Sequence, residues 1–202
     1  YYLKINFYFQ KVLKTSFFIL LMNIFSIVIA ILNLISNPPD VQPVDNFNMT
    51  QYTGTWYQMY DNTYNKIFIA NGSCIHHHFI ADINPLYHMS YINLSPYSKN
   101  SFERKSGTVL LNGTMGSLKL QMDDATFGID YYVTKLGPII NDKYDYAIVT
   151  DPLMLSLYVL ARNKETFHSN YEKEINEFLD QSCPTDKVID YLTKPIKVDH
   201  DC

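Results

Sequence analysis

Three consecutive histidines, His76–His77–His78, are the densest group of potential metal ligands in this chain of 202 residues. Side chains alternate along a strand, so His76 and His78 share one face. Two imidazoles so placed can ligate a metal or a haem iron. No third ligand is identifiable beside them, and the plainer reading is exposed strand histidines, which change charge between about pH 5 and 8. No metal and no cofactor is therefore assigned. Sulfur is sparse: Cys74, Cys183 and Cys202 are an odd number. Outside the cell, one disulfide plus one thiol, free or paired between chains, is the simplest arithmetic. The sequence shows no catalytic triad and no carboxylate pair, and it is read as non-enzymatic.

Composition bounds the partners. The chain is 47% hydrophobic and 15% aromatic, enough for a sizeable core, and its net charge is -4. Lysines and arginines are scattered, so no basic face exists for nucleic acid.

The elements that must position these residues begin after a leader. In "KVLKTSFFILLMNIFSIVIAILNLIS", Lys11 and Lys14 precede about twenty mostly apolar residues, the pattern of a secretory signal and also long enough to span a bilayer. Residues 1–36 are read as this leader, removed or retained as an anchor, with Met22 as an alternative start. The Pro-rich "NPPDVQP" then leads into a domain over 37–202. Sequons at Asn48, Asn71, Asn93 and Asn112 offer glycan acceptors and lean the same way, toward a secreted glycoprotein.

Past residue 50 the pattern turns to short β-type runs: "GTWYQMY", "CIHHHFIADI", "YHMSYINL", "SGTVLL", "GSLKLQM", "GIDYYVTKL", "YDYAIVTD" and "LSLYVLAR". Turn residues separate them at near-regular spacing, which favours a sandwich or an up-and-down barrel. In "LSLYVLAR", Ser156, Tyr158, Leu160 and Arg162 face one way and Leu157, Val159 and Ala161 the other. Both faces are largely apolar, as expected of a barrel strand with a filled interior and a helix on its back. "HSNYEKEINEFLDQSC" supplies that helix, with Ser169 and Glu172 as a capping box and Tyr171, Ile175, Phe178 and Leu179 on one face. A last extended run, "VIDYLTKPIKV", closes the chain.

Three spaced motifs carry a resemblance. "YTGTWYQMY" resembles the Gly-x-Trp first-strand motif of the lipocalin family, through Gly54 and Trp56. "NDKYDYAIV" is similar to the second motif at Asp142 and Tyr146, with Asn141 and Lys143 departing from it. "LYVLAR" resembles the third, ending in Arg162. Within the family the nearest pattern is the apolipoprotein D-like, invertebrate type, over roughly residues 37 to 202. The resemblance implies an eight-stranded antiparallel up-and-down β-barrel with one C-terminal α-helix packed outside. It also implies that Arg162 lies against the indole of Trp56 at the closed end, a cation–π contact worth roughly 1–2 kcal/mol.

Strand parity from that pair gives candidate cargo contacts. Tyr158 shares the face of Arg162, nearer the mouth, and an aromatic lines the pocket at the matching family position. Gln58 and Tyr60 share the face of Trp56; Leu118, Leu120 and Met122 share one face of their strand. Phe79 aligns with a family pocket aromatic, and Tyr91 and Tyr132 complete the set in strands of ambiguous register. The resemblance pairs Cys74 with a cysteine near the C-terminus, matching Cys202. Such a bridge is worth about 4–5 kcal/mol in the chain-entropy model. Cys183 is unmatched, and three states stay open for it: free, paired between chains, or competing for Cys74; a second family disulfide has no counterpart, with Ile35 and the "TDPLM" region in its places.

These expectations describe an extracellular carrier, monomeric or weakly dimeric, of a small hydrophobic ligand such as a sterol, retinoid, fatty acid or tetrapyrrole. One alternative is a recognition module that touches membranes through the 65–73 loop, with Ile67, Phe68 and Ile69. The other is a barrel-thiol isomerase, for which only Cys74 and Cys183 are available.

Overall fold

Eight of the strands roll into a single antiparallel sheet that closes on itself. The computed structural model describes residues 2–36, 40–68, 72–81, 87–94, 102–112, 116–182 and 187–201. Ahead of the sheet, α1 (Tyr2–Ser36) is one long helix and α2 (Met49–Tyr52) a single turn. The barrel strands are β1 (Gly54–Asn62), β2 (Ser73–Ala81), β3 (Tyr87–Leu94), β4 (Phe102–Leu111), β5 (Ser117–Met122) and β6 (Ile129–Leu136), with α3 (Thr63–Phe68) after β1. A small hairpin of β7 (Ile139–Ile140) and β8 (Lys143–Tyr144) precedes the last two, β9 (Tyr146–Thr150) and β10 (Leu157–Ala161). Strand order is β10-β9-β6-β5-β4-β3-β2-β1, and pairing of β10 with β1 closes the ring. The hairpin turn places Asn141 and Asp142 at φ 51° and 59°. Positive φ at both central residues is what a two-residue turn between right-twisted strands requires, and Asn and Asp tolerate it best after Gly.

The C-terminal helix starts earlier than the sequence suggested. Asn163, not Ser169, is the N-cap: its side chain accepts from the Thr166 N–H at 2.7 Å. From there α4 (Lys164–Thr166) runs through a π turn at Phe167–Tyr171 into α5 (Glu172–Ser182). Ser169 instead donates from its hydroxyl to the Thr166 carbonyl. The expected extended tail is partly helical, as α6 (Lys187–Thr193), followed by β11 (Pro195–Lys197). Pro195 has no N–H to continue the helix, and β11 pairs along Tyr60–Asn62 of β1.

Two apolar layers result. The inner one packs inside the barrel around Trp56, Phe79, Leu118, Tyr131 and Leu160. The outer one joins the barrel wall at Met59, Tyr60, Ile148 and Val159 to Phe167, Ile175 and Leu179 of the helix. β10 serves both layers, with Tyr158 and Leu160 inside and Leu157, Val159 and Ala161 outside, as its alternation requires.

The barrel interior as candidate ligand site

The closed end of the barrel fixes the parity of everything above it. The Arg162 guanidinium lies 3.5 Å from the centre of a Trp56 ring, and the indole is fully buried. The same guanidinium donates to five backbone carbonyls: Tyr144 from Nε, Thr55 from Nη1, and Gln51, Tyr52 and Thr53 from Nη2. Those last three are the end of α2 and its exit, whose carbonyls have no helical partner. Arginine suits this position because its rigid fork reaches several acceptors while its flat face rests on the ring. Burial pulls its pKa down to about 10, which leaves it charged at neutral pH. Gly54 is required beside it. Its φ is +107°, and a Cβ there would lie 3.1 Å from Arg162 Nη1.

A strap from residue 44 to Thr53 crosses beneath the barrel. Val44 N–H donates to the Val133 carbonyl, and the Tyr144 hydroxyl accepts from Asn48 N–H while donating to the Asn46 carbonyl. Trp56 Nε1 donates to the Tyr52 carbonyl at 2.8 Å. Asp142 sits in the exposed hairpin turn, and Tyr146 faces outward, its hydroxyl donating to Glu174.

Above the plug an aromatic layer follows. Tyr52 packs edge-on to Phe79 with centroids 5.0 Å apart, and its hydroxyl lies 2.7 Å from that of Tyr131. Tyr131 stacks on Tyr158 at 6.1 Å, and Tyr158 meets His77 edge-on at 6.0 Å. His77 is buried, and burial, with the nearby His76 charge, lowers its pKa to about 3, so the ring is neutral. Gln58 Oε1 can only accept, so His77 Nε2 carries the proton in their 2.8 Å hydrogen bond. Among the described residues the Gln58 Nε2 has no hydrogen-bond partner, which leaves two donor hydrogens inside a side chain that is itself buried. Tyr158 and Met122 are the mouthward members of the inner cluster that keep accessible surface.

The candidate set is therefore redistributed. Gln58, Phe79, Leu118, Leu120, Met122 and Tyr158 lie in or against the inner layer. Tyr60 does not. A β-bulge between Gln58 and Tyr60 adds a residue on β1 relative to β10 and turns Tyr60 to the outside, where its hydroxyl donates to Glu172 at 2.6 Å. Tyr132 is also misplaced: register pairs Leu118 with Tyr131, so Tyr131 joins the inner layer and Tyr132 falls on the opposite face. Tyr91 pairs in backbone register with His77, but its side chain lies outside the described residues.

Sequence reasoning missed Tyr131, His77 and Asp61. His77 was legible, since it shares the parity of Phe79. Asp61 is 1% exposed near the mouth end of β1, and burial raises its carboxyl to about 6, offset in part by the Asn62 N–H, Asn65 and Lys66. Two buried amides flank it: Asn62 donates to the Leu155 carbonyl and Asn65 to that of Leu157, tying β1 and α3 to the entry of β10.

His76 and His78 face away from the interior. Their Nδ1 atoms lie 3.2 Å from the Cys74 carbonyl and 2.9 Å from Thr55 Oγ1, and no group of three metal-ligating side chains occurs among the described residues. Cys74 is in a disulfide and offers no thiol; its partner lies outside the described residues. Among the sequons, Asn48 and Asn112 are exposed, Asn71 lies outside the described residues, and Asn93 is in β3, whose side chains do too. The expected 65–73 loop begins as α3, with Ile67 59% exposed, while the Phe68 side chain and Ile69 are not among the described atoms.

No protein-family model matches this sequence, and no curated protein does. Solved structures do match. Insecticyanin from the tobacco hornworm Manduca sexta superposes with a TM-score of 0.58 at 16% identity, over 81% of this chain and 86% of that one. This is the lipocalin fold. Lobster apocrustacyanin A1 gives 0.54 at 13% identity, over 77% of this chain and 81% of that one. Japanin from Rhipicephalus appendiculatus, solved bound to cholesterol, gives 0.51 at 16% identity, over 79% and 98%. The lipocalin barrel here thus has a sealed base, an aromatic layer above it, and a buried amide beneath the mouth.

Proposed function

We propose that this protein binds and carries one small hydrophobic molecule in the upper half of its barrel, outside the cell. The observation that carries the reading is Gln58: a buried amide, fixed by neutral His77, with its nitrogen donors unspent inside an otherwise apolar and phenolic wall. Pockets for small molecules combine such walls with a few placed polar groups. The cargo is a hydrophobic small molecule, a sterol, retinoid, fatty acid or tetrapyrrole, that offers an acceptor oxygen to Gln58 Nε2. Its body rests on Tyr158, Leu120 and Met122 above the Tyr131 and Phe79 layer. Cholesterol in japanin, a chain of the same fold, supports this class of guest.

The finer assignments belong to the same proposal. The chain is an apolipoprotein D-like lipocalin with no catalytic role, acting as a monomer or weak dimer. Residues 1–36 are its leader, apolar and largely bare along α1 at Phe17, Phe18 and Phe25. Asn48 and Asn112 are its best-placed glycan sites. Cys202 is the favoured partner of Cys74, because Cys74 N–H donates at 2.7 Å to the carbonyl of Asp199, three residues before Cys202 in sequence. Native mass spectrometry of the secreted protein, with extraction of whatever co-purifies, reports processing, glycans, disulfide and cargo together. Protein that emerges cargo-free and takes up no apolar compound would remove the carrier reading.

A membrane-touching mode has its own support. Ile67 on α3 and Phe127 on the β5–β6 turn, 59% and 81% exposed, both stand at the mouth end. Liposome co-sedimentation of wild type against Ile67→Asp tests it, and equal binding by the two would exclude Ile67 from such contact.

A further inference from the structure

A second cavity lies outside the barrel, between its wall and the C-terminal helices, with a volume of about 390 Å³. That is within the range of small-molecule sites. Ile148 and Leu157, on the outer faces of β9 and β10, form its floor, and Phe178 and Leu179 in the last turns of α5 form its roof. Residues 40–42 border it. It shares no lining residue with the inner layer.

Its polar lining is mostly of one chemical character. A hydroxyl carries one proton and two lone pairs, and every hydroxyl here has its proton committed elsewhere. Thr134 donates to the Ile148 carbonyl, Thr150 to that of Ser156, and Ser156 to Asp151 Oδ2. Ser182 donates to the Phe178 carbonyl and Thr193 to that of Ile189. The Gln42 amide donates to Asp40 Oδ1 at 2.6 Å. What remains toward the cavity is mostly acceptor capacity, from hydroxyl lone pairs, the Gln42 side-chain carbonyl and the Asp40 carboxylate, against one uncommitted Gln42 N–H, and the described lining residues include no Lys, Arg or His. The last turns of α5 and α6 also end there, at Ser182 and Thr193, and helix C-termini carry partial negative charge.

We propose that this cavity is a binding site for a small organic cation, a primary amine or ammonium on a compact apolar or aromatic body. The ammonium takes the acceptor lone pairs and the carboxylate, and the body lies between Leu157 and Phe178. The site is independent of the barrel cargo.

Calorimetric titration of the full chain with phenethylamine, 2-phenylethanol and 3-phenylpropionate tests the assignment. The amine binds, the alcohol binds at least tenfold more weakly, and the carboxylate does not bind. Ser182→Trp fills the cavity and abolishes amine binding, whereas Leu120→Trp, which fills the barrel, leaves it intact. Asp40→Asn weakens amine binding by about two- to fivefold, as expected for an exposed carboxylate. Because Asp40 is on an exposed segment, that variant carries the test if Ser182→Trp does not fold. No amine binding, a carboxylate or alcohol that binds as tightly, an Asp40→Asn variant equal to wild type, or loss of amine binding in Leu120→Trp each overturns the proposal.

Discussion

Replacing Arg162 by methionine keeps most of the side chain's bulk and removes the guanidinium from the base of the barrel. Five carbonyls, those of Gln51, Tyr52, Thr53, Thr55 and Tyr144, then lose their donor at once. A hydrogen bond from a charged donor contributes about 1.5–3 kcal/mol where it is desolvated. The five share one side chain, and those nearest the surface will find water, so they do not add. The stacking over Trp56 at 3.5 Å contributes about 1–2 kcal/mol more. Together the loss should be about 4 kcal/mol, at the large end for a single substitution. Arg162→Lys keeps the charge but not the fork or the flat stacking, and should lose about half of that. Urea unfolding followed by the fluorescence of Trp56, the sole tryptophan, reads both. A double-mutant cycle with Trp56→Phe, followed by circular dichroism because that variant has no tryptophan, should return a coupling of about 1 kcal/mol. If Arg162→Met lost less than about 1 kcal/mol, the argument that this side chain seals the base would be wrong.

Three further outcomes follow from the same structure. Asp61 has a folded pKa of about 6, above its unfolded value, so the native state holds the extra proton and stability should fall as pH rises from about 4 to 6, by about 2–3 kcal/mol; Asp61→Asn should flatten that slope in melts across this range, and an unchanged slope would refute it. Burial alone would raise Glu172, but donors from Lys197, Tyr60 and His168 outweigh it and hold the carboxyl at about 2. Its contribution is present above about pH 4.5 and lost as pH falls toward 2; solvent screening limits it to about 1 kcal/mol, the loss expected for Glu172→Gln at pH 7, and a larger loss at pH 3 than at pH 7 would contradict this. Tyr131→Phe leaves the Tyr52 hydroxyl buried without its 2.7 Å partner and should cost about 1–2 kcal/mol by urea unfolding; a neutral result would mean that the pair is not closed to water.

The sequence made the barrel readable because each strand run ends in strong turn chemistry and because β10 is apolar on both faces. Trp56 and Arg162 were legible through three motifs that keep their order. Parity counting failed where the backbone stops counting by two. The bulge after Gln58 leaves no distinctive residue type, since Met59 and Tyr60 are ordinary strand residues, and Tyr60 consequently moved to the helix side. In β6 the adjacent Tyr131 and Tyr132 are chemically alike, so only pairing with β5 decides which enters the barrel. The helix start was misread because Ser169 and Glu172 imitate a cap, while Asn163 caps from beyond the π turn. Asp61 was overlooked because a carboxylate in a strand ordinarily faces water; its burial depends on Asn62, Asn65 and the segment entering β10, which come together only in the fold.

Titration with cholesterol and a long-chain fatty acid, followed by calorimetry on wild type and Leu120→Trp, tests the upper barrel as the cargo site most directly. One apolar ligand per chain should bind saturably to wild type, and the filled variant, still folded by circular dichroism, should bind none. Equal binding by both proteins would place the cargo elsewhere and contradict the account.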